Sequence, residues 1–179
     1  MKLYHGTLTI HTLDILKNGI DLSKGTNLCD FGKGFYTTPD INFAKKTACK
    51  RYKQYKDYYY DDDVIPKVIE LEIDWDKVKN QLKIKELQEN NEWIKFVANN
   101  RHRDLNDLIS INNHNRDNKF DIVVGPTADK MIYMLDKIFS KQKIEENFYK
   151  QFINKNYAIQ YSFHTVCAIK YINNLKIVT

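Results

Sequence analysis

The order of apolar and polar positions changes period several times along the chain, and each period predicts one type of element. Between residues 68 and 73 the apolar Ile69, Leu71 and Ile73 alternate with Glu70 and Glu72, which is the period of a strand with one exposed face. Apolar positions that recur every three or four residues are typical of helices. These patterns predict strands at residues 2–5, 34–37, 68–73, 120–124, 158–163 and 175–178, and helices at residues 9–17, 39–55, 91–100, 128–139, 144–154 and 166–172.

Turn-forming residues mark the ends of several elements. Gly19 ends the first helix, because glycine accepts the left-handed conformation that closes many helices. Thr38 and Pro39 predict an N-cap and a first helical position. One face of the first helix carries Ile10, Leu13 and Leu16. Loops are predicted at residues 21–33, 57–63 and 106–118.

The arrangement of these elements predicts a fold class. Strands lie at both ends and in the middle of the chain, with helices between them but without a regular βαβ repeat. No G-x-G-x-x-G segment opens a helix after a strand, which argues against a doubly wound dinucleotide-binding sheet. A length of 179 residues is typical of one domain. We therefore predict a single α+β domain over residues 1–179, with mainly antiparallel sheet.

Composition narrows the class of protein further. Apolar residues make up 42% of the chain and aromatic residues 13%, which is typical of a globular protein. The three cysteines are odd in number and far apart, so neither a disulfide framework nor a metal site is predicted. The first residues lack the apolar stretch of a signal peptide, and no apolar run reaches transmembrane length. We expect a soluble cytoplasmic protein without a membrane partner.

The charge of the chain has two interpretations. The net charge is +5 and is carried mostly by lysine. These lysines are scattered among acidic residues, which favours a compositional bias over a nucleic-acid-binding surface. A basic nucleic-acid-binding domain remains an alternative hypothesis.

Three short segments combine glycine, aromatic and polar residues in patterns that suit a ligand site. His5 ends the first predicted strand and precedes Gly6, so an imidazole lies beside bare backbone. In the second segment a glycine-rich turn precedes Phe35 and Tyr36, whose side chains point to opposite faces of a strand. In the third, Gln160 lies among apolar strand positions and needs either polar partners or a site. Taken alone, each segment also has an ordinary structural interpretation.

Together, the segments resemble the ADP-ribosyltransferase superfamily, in the branch of diphtheria toxin and the poly(ADP-ribose) polymerases, which carries a His, a Tyr and a Glu on three strands. The similarity is greatest to a bacterial group of domains of unknown function that is often found beside candidate antitoxins. It covers nearly the whole chain and implies two packed, mainly antiparallel sheets with flanking helices and an NAD cleft between them. The matching stretches are His-Gly-Thr at 5–7, Phe-Gly-Lys-Gly-Phe-Tyr at 31–36, Trp-Ile-Lys-Phe-Val-Ala-Asn-Asn-Arg at 93–101, Phe-Asp-Ile-Val-Val-Gly-Pro at 120–126 and Gln-Tyr-Ser-Phe-His-Thr at 160–165.

The resemblance implies a role in NAD binding for several residues. His5 would bond the ribose hydroxyls, and the backbone of Gly6 would hold the nicotinamide amide, with Thr7 in the same cofactor-binding segment. Tyr36 would pack against the nicotinamide ring. Arg101 would hold the pyrophosphate or the acceptor, since a guanidinium fits paired oxygens, but a cation at a helix C-terminus is the slightly favoured interpretation.

Two positions depart from the pattern of the superfamily. Gln160 stands where the catalytic Glu is expected, and losing that charge would cost about 3 kcal/mol, roughly a hundredfold in rate. Asp129 is the predicted substitute carboxylate, unless it only complements a helix N-terminus. Thr47 stands where a second aromatic residue is expected, and Phe43, one helical turn earlier, would cover that face of the nicotinamide.

The sequence therefore predicts an NAD-dependent ADP-ribosyltransferase of the glycosyltransferase class. The resemblance implies a bacterial toxin of a toxin–antitoxin or defence system, with NAD as its substrate. A protein or nucleic-acid acceptor would take the ADP-ribose, and an antitoxin protein would be a partner. Two alternatives follow from Gln160: a catalytically degenerate module that binds NAD or ADP-ribose, or an NAD glycohydrolase.

Overall fold

A computed structural model describes residues 1–102, 113–129, 150–153 and 155–179, and the described residues form seven strands and five α-helices. The strands are β1 (Lys2–Leu8), β2 (Phe35–Thr37), β3 (Pro66–Ile73), β4 (Ile84–Glu86), β5 (Ile122–Pro126), β6 (Ile159–Phe163) and β7 (Ile172–Ile177). The helices are α1 (Thr9–Asn18), α2 (Ile41–Lys56), α3 (Trp75–Gln81), α4 (Asn91–Arg101) and α5 (Val166–Ile169), with a 3₁₀ helix at Leu22–Lys24.

The strands form two sheets. One sheet is antiparallel throughout and has the order β1-β3-β7. The other has the order β2-β6-β5-β4 and is antiparallel except for the parallel pair β4–β5. A two-residue bridge between Tyr4 and Thr38 connects β1 with the residue after β2. The predicted α+β fold, with two mainly antiparallel sheets and flanking helices, is confirmed.

The core has two parts, separated by the sheet that contains β5. Leu3, Leu71, Ile122 and Phe163 belong to a cluster that takes side chains from both sheets, so the sheets pack against each other. Val123 points to the opposite face of β5. There it packs with a second cluster, which includes the α4 residues Trp93, Ile94, Phe96 and Val97.

Several predicted element boundaries were wrong for identifiable reasons. The helix after β2 begins at Ile41 with Asp40 as its N-cap, whose Oδ1 accepts a hydrogen bond of 2.8 Å from the N–H of Asn42. Thr38 instead donates its hydroxyl to the carbonyl of Ile159 at 2.8 Å and so connects two strands. In α1 the predicted apolar face points to solvent, and the residue that the helix buries is Thr12. The exposed side chains are Ile10, Leu13 and Leu16.

Two elements were not predicted, and part of the prediction lies outside the described residues. The helix α3 buries only Val78, and β4 is a three-residue strand at the sheet edge, so neither leaves a clear hydrophobic period. The strand β7 begins inside the segment predicted as a helix, of which α5 forms only the first four residues. The predicted helices and loop at residues 130–139, 144–149 and 106–112 lie outside the described residues. None of the described helices has the length and apolar character needed to cross a membrane.

Candidate functional site

The imidazole of His5 is fixed in β1 with one ring nitrogen available to a ligand. Its Nδ1 lies 2.7 Å from the carbonyl oxygen of Tyr36. Because a carbonyl can only accept, we assign the proton to Nδ1, which leaves Nε2 as an acceptor. The ring stacks on Phe35 with 4.3 Å between centroids. Burial, followed by the positive charge of Arg51, lowers the pKa of His5 to about 3, so the ring is neutral at physiological pH.

Gly6 brings β1 close to α2 and directs its backbone groups away from β3. A Cβ at this position would lie 2.0 Å from the carbonyl oxygen of Ala44, so no other residue fits without a shift of the backbone. Val68, opposite Gly6 in the sheet, exchanges its backbone hydrogen bonds with the last two residues of the chain. Tyr4, two residues earlier, exchanges its own with Thr38. Strand alternation therefore points the N–H and C=O of Gly6 to the same side as those of Tyr4.

Tyr36 closes the glycine-rich turn onto the strand that follows it. Its hydroxyl donates to the carbonyl of Gly32 at 2.6 Å and accepts from the N–H of Phe31 at 2.9 Å. Gly32 has a φ of 91°, a conformation that favours glycine. Burial raises the pKa of the Tyr36 phenol well above its usual value, so the hydroxyl stays protonated. The opposite pointing of Phe35 and Tyr36 in β2 is as predicted: Phe35 belongs to the core between the sheets, and Tyr36 packs against the other cluster.

The side chain of Gln160 is held by a buried carboxylate that the sequence analysis missed. Its Nε2 donates to Asp30 Oδ2 at 2.8 Å and to the carbonyl of Pro126 at 3.4 Å. Both partners are acceptors, which fixes the assignment of the amide nitrogen. The amide oxygen Oε1 is therefore the acceptor of this side chain, and Gln160 borders the cleft.

Asp30 is the centre of a neutralised network. Its Oδ1 accepts from Arg101, with distances of 2.6 Å to Nε and 2.5 Å to a terminal nitrogen. Its Oδ2 accepts from the N–H of Ala128 at 2.9 Å, in addition to Gln160. Only 5% of Asp30 is exposed, so the ion pair with Arg101 satisfies a buried charge.

Asp129 is the carboxylate that the sequence predicts as a substitute for the family's Glu. It borders the same cleft as Gln160, but its side chain is half exposed and pairs with Lys50 at 3.6 Å. The carboxylate that contacts Gln160 is Asp30. No local sequence pattern predicted this contact of Asp30, because its partners Ala128 and Gln160 lie 98 and 130 residues further along the chain.

These residues line two adjacent cavities, which we call the two lobes of one cleft because four residues line both. The smaller lobe has a volume of about 170 Å³ and the larger lobe about 670 Å³. Four residues border both lobes and form a waist between them: His5, Cys29, Tyr36 and Arg51. All eight residues predicted from the sequence border the cleft. Thr7 borders the larger lobe, His5 and Tyr36 border both, and the smaller lobe has Gly6, Phe43, Arg101, Asp129 and Gln160.

The walls of the two lobes differ in chemistry. Phe43 and Thr47 of α2 border the smaller lobe, and the Thr47 hydroxyl is occupied by the carbonyl of Phe43 at 3.0 Å. Phe43 is thus the aromatic side chain on that wall, as the sequence suggested. The larger lobe contains Thr7, whose buried Oγ1 has no hydrogen-bond partner within the described residues. Such a hydroxyl is costly unless a ligand or water satisfies it.

Comparison with known proteins gives one result. A family described as a protein of unknown function, DUF3990, matches residues 1–174. The chain belongs to the DUF3990 family. The DUF3990 chain has no match among curated proteins or solved structures.

A serine–histidine pair in this DUF3990 protein lies outside the cleft. Ser162 Oγ is 2.8 Å from His164 Nε2, a distance that suits a nucleophile and its base. Ser162 is fully buried, however, and its hydroxyl also contacts the carbonyl of Val123 at 3.1 Å. His164 Nδ1 donates to the carbonyl of Lys33 at 2.8 Å, so the pair joins β6, β5 and the glycine-rich turn. We interpret it as structural.

Proposed function

We propose that this DUF3990 protein binds NAD in the two-lobed cleft and is an ADP-ribosyltransferase of the diphtheria toxin and poly(ADP-ribose) polymerase branch. The observation that carries the proposal is the convergence of His5, Tyr36 and Gln160, from the separate strands β1, β2 and β6, on one cleft. The resemblance implies a His, a Tyr and a Glu on three strands at the nicotinamide end of NAD, and Gln160 takes the place of the Glu. The placement of these three side chains around one cleft also suits the nicotinamide end of NAD.

The nicotinamide would occupy the smaller lobe. Its carboxamide could bond the N–H and C=O of Gly6, and its ring would lie between Tyr36 and Phe43. His5 Nε2 would accept a hydrogen bond from a ribose hydroxyl. The Oε1 of Gln160 would accept the ribose 2′-hydroxyl, the bond that the family's Glu makes. The larger lobe is spacious enough for the adenosine half, since ligand sites commonly measure about 300–1,000 Å³.

The reaction would proceed by departure of nicotinamide from the ribose. The C–N bond breaks and its electron pair leaves with the neutral nicotinamide, so positive charge develops on the ribosyl carbon. An acceptor nucleophile then bonds to that carbon and loses a proton to solvent. Gln160 supports the developing charge only through the dipole of its amide, because the charge of Asp30 behind it is neutralised by Arg101. We expect turnover about a hundredfold below that of an enzyme with Glu at this position.

The biological setting that we propose follows from the family resemblance. The enzyme would act in bacteria as a toxin of a toxin–antitoxin or defence system, with a protein or nucleic acid as acceptor and an antitoxin protein as partner. It would work in the cytoplasm, where NAD is available.

One observation favours a second candidate function. The carboxylates that border the smaller lobe are Asp30 and Asp129, and both are ion-paired. An NAD- or ADP-ribose-binding module without transfer would need no free carboxylate there. This candidate shares the ligand of the first and differs from it only in the chemical step.

The test is release of nicotinamide from NAD labelled in the adenine ring, with the purified chain alone and with bacterial lysate. Release that needs lysate and leaves label on a macromolecule supports the transferase. Release without labelling indicates a glycohydrolase, and binding without release indicates the binding module. Gln160→Ala is the matched variant: a transferase loses its activity, whereas a contaminating hydrolase in the preparation does not respond. Salt-sensitive binding to RNA or DNA without affinity for NAD would contradict the whole proposal.

A further inference from the structure

Arg51 lies at the waist of the cleft, and the resemblance to the superfamily assigns it no role. Thr47, Arg51 and Gln54 follow one face of α2, since they are spaced four and three residues apart. This face forms a wall of the cleft, with Thr47 at the smaller lobe and Gln54 at the larger one. Arg51 lies between them and borders both lobes.

The other charged side chains that border the cleft are mostly occupied. Asp21 accepts a hydrogen bond of 2.8 Å from the N–H of Ser23 and caps the 3₁₀ helix. The remaining charges form three ion pairs: Asp14 with Lys24, Asp30 with Arg101, and Asp129 with Lys50. Among the described residues, Arg51 lies within ion-pair distance of no carboxylate. Its guanidinium is therefore a positive charge in a cleft with its hydrogen-bond donors available.

The neighbours of Arg51 at the waist do not compete for an anion. His5 is neutral, and its free ring nitrogen is an acceptor. Tyr36 uses its hydroxyl proton for the carbonyl of Gly32. An anion that enters the waist thus meets the planar fork of Arg51, which matches the paired oxygens of a phosphate group.

We infer that Arg51 binds the diphosphate of a dinucleotide at the waist, so that the two halves of the ligand occupy the two lobes. This inference rests on the proposed function and deepens it, because it assigns the group that joins the two nucleoside halves. It assigns to Arg51 the group that the sequence analysis gave to Arg101, whose guanidinium pairs with Asp30. The observation behind the diphosphate is that Arg51 borders both lobes at the residues that they share.

The experiment measures the affinity for ADP and ADP-ribose by isothermal titration calorimetry. Arg51→Gln removes the charge and should weaken both ligands by about 10- to 100-fold, as expected for a charge-assisted pair of hydrogen bonds. Arg51→Lys keeps the charge without the fork and should give an intermediate loss. Lys53→Gln is the matched control, because it makes the same change of charge on α2 at an exposed position that borders neither lobe; it should change affinity less than twofold.

A second measurement reports occupancy of the waist. Cys29 is half-buried and borders both lobes, whereas Cys167 is exposed elsewhere. Bound ADP should slow the alkylation of Cys29 but not that of Cys167, and Arg51→Gln should abolish this protection. Peptide mass mapping distinguishes the two thiols.

The outcomes separate this inference from the proposed function. Failure of the wild type to bind ADP, unchanged affinity in Arg51→Gln, or an equal loss in Lys53→Gln overturns the role of Arg51. Nicotinamide release is assayed in parallel with the same variants. Binding of ADP that depends on Arg51, without any nicotinamide release, supports this inference and contradicts the transferase; release that Arg51→Gln leaves unchanged does the reverse.

Discussion

The two sides of the smaller lobe hold their polar side chains in different ways. On the β1 side, His5 is neutral and is held by a backbone carbonyl and an aromatic stack, all within neighbouring strands. On the β6 side, Gln160 is held by Asp30, whose own charge needs Arg101 from α4. The first arrangement depends on main-chain geometry and burial. The second depends on a buried carboxylate and its ion-pair partner. Substitutions there should therefore lower the free energy of unfolding more than they lower the affinity for a ligand.

The largest effect is expected when the centre of the charge network is removed. Asp30→Ala leaves Arg101 without its carboxylate and frees the amide of Gln160 and the N–H of Ala128. Breaking a buried ion pair typically costs 3–5 kcal/mol. We expect about 3 kcal/mol, because Arg101 retains partial access to water. Urea unfolding measures it, with Asp129→Ala as the control at an exposed carboxylate in the same cleft; a loss below about 1 kcal/mol for Asp30→Ala would contradict the network.

The network also reverses what the family resemblance alone suggests for Gln160. Gln160→Glu restores the residue type of the superfamily, yet it replaces the donor at 2.8 Å from Asp30 Oδ2 by a second carboxylate. We expect a loss of about 2–3 kcal/mol at neutral pH. Repulsion raises the pKa of one carboxyl in the folded state above its unfolded value. The variant is therefore least stable above that pKa and regains stability as the pH falls through it.

A double variant tests the explanation for Gln160→Glu. Asp30→Asn with Gln160→Glu keeps one carboxylate and one amide but exchanges their positions. It should be more stable than the sum of the two single losses, because the amide at position 30 can donate to the carboxylate at position 160, although Arg101 still lacks its ion-pair partner. Nicotinamide release should rise above that of the wild type. If the double variant is less stable than the sum of the two single changes, the pair is not coupled in the way that the geometry indicates.

The contrast between the two sides also explains how far the sequence could be interpreted. His5, Gly6 and Tyr36 were singled out because their motifs are local: His5 precedes Gly6 in β1, and Tyr36 follows the glycine-rich turn in β2. The sequence analysis assigned no role to Asp30, because Asp30 contacts Gln160 in a distant strand. It assigned none to Arg51, because the position of Arg51 at the cleft depends on which face of α2 forms the cleft wall. Helix α1 shows the same limit: the helix was predicted, but it buries Thr12 and leaves its predicted apolar face exposed.

On the β1 side the expected effect is a pH dependence of stability. Burial holds the pKa of His5 at about 3 in the folded protein, below about 6.5 in the unfolded chain. The unfolded state then binds more protons, so this contribution is complete above pH 6.5 and is lost as the pH falls towards 3. His5→Asn should reduce the slope of the unfolding free energy between pH 6 and pH 5 by about 1 kcal/mol per pH unit.

A second histidine supplies the comparison for that slope. His164, outside the cleft, has its pKa lowered to about 4, chiefly by burial, and should add a similar slope. His164→Asn should therefore reduce the slope between pH 6 and pH 5 by a similar amount. An equal slope in His5→Asn and the wild type would show that His5 gains protons in the folded state as readily as in the unfolded chain.

The smallest effect is expected at Tyr36, which lies between the two sides. Tyr36→Phe removes the hydroxyl that bonds Gly32 and the N–H of Phe31 but keeps the ring that borders both lobes. Loss of these bonds should cost about 1–2 kcal/mol of stability. If the ring is what contacts nicotinamide, the affinity for NAD should change less than about threefold, whereas Tyr36→Ala should weaken it at least tenfold. Equal affinities in Tyr36→Ala and the wild type would place the nicotinamide away from this ring, and the smaller lobe would then belong to the acceptor.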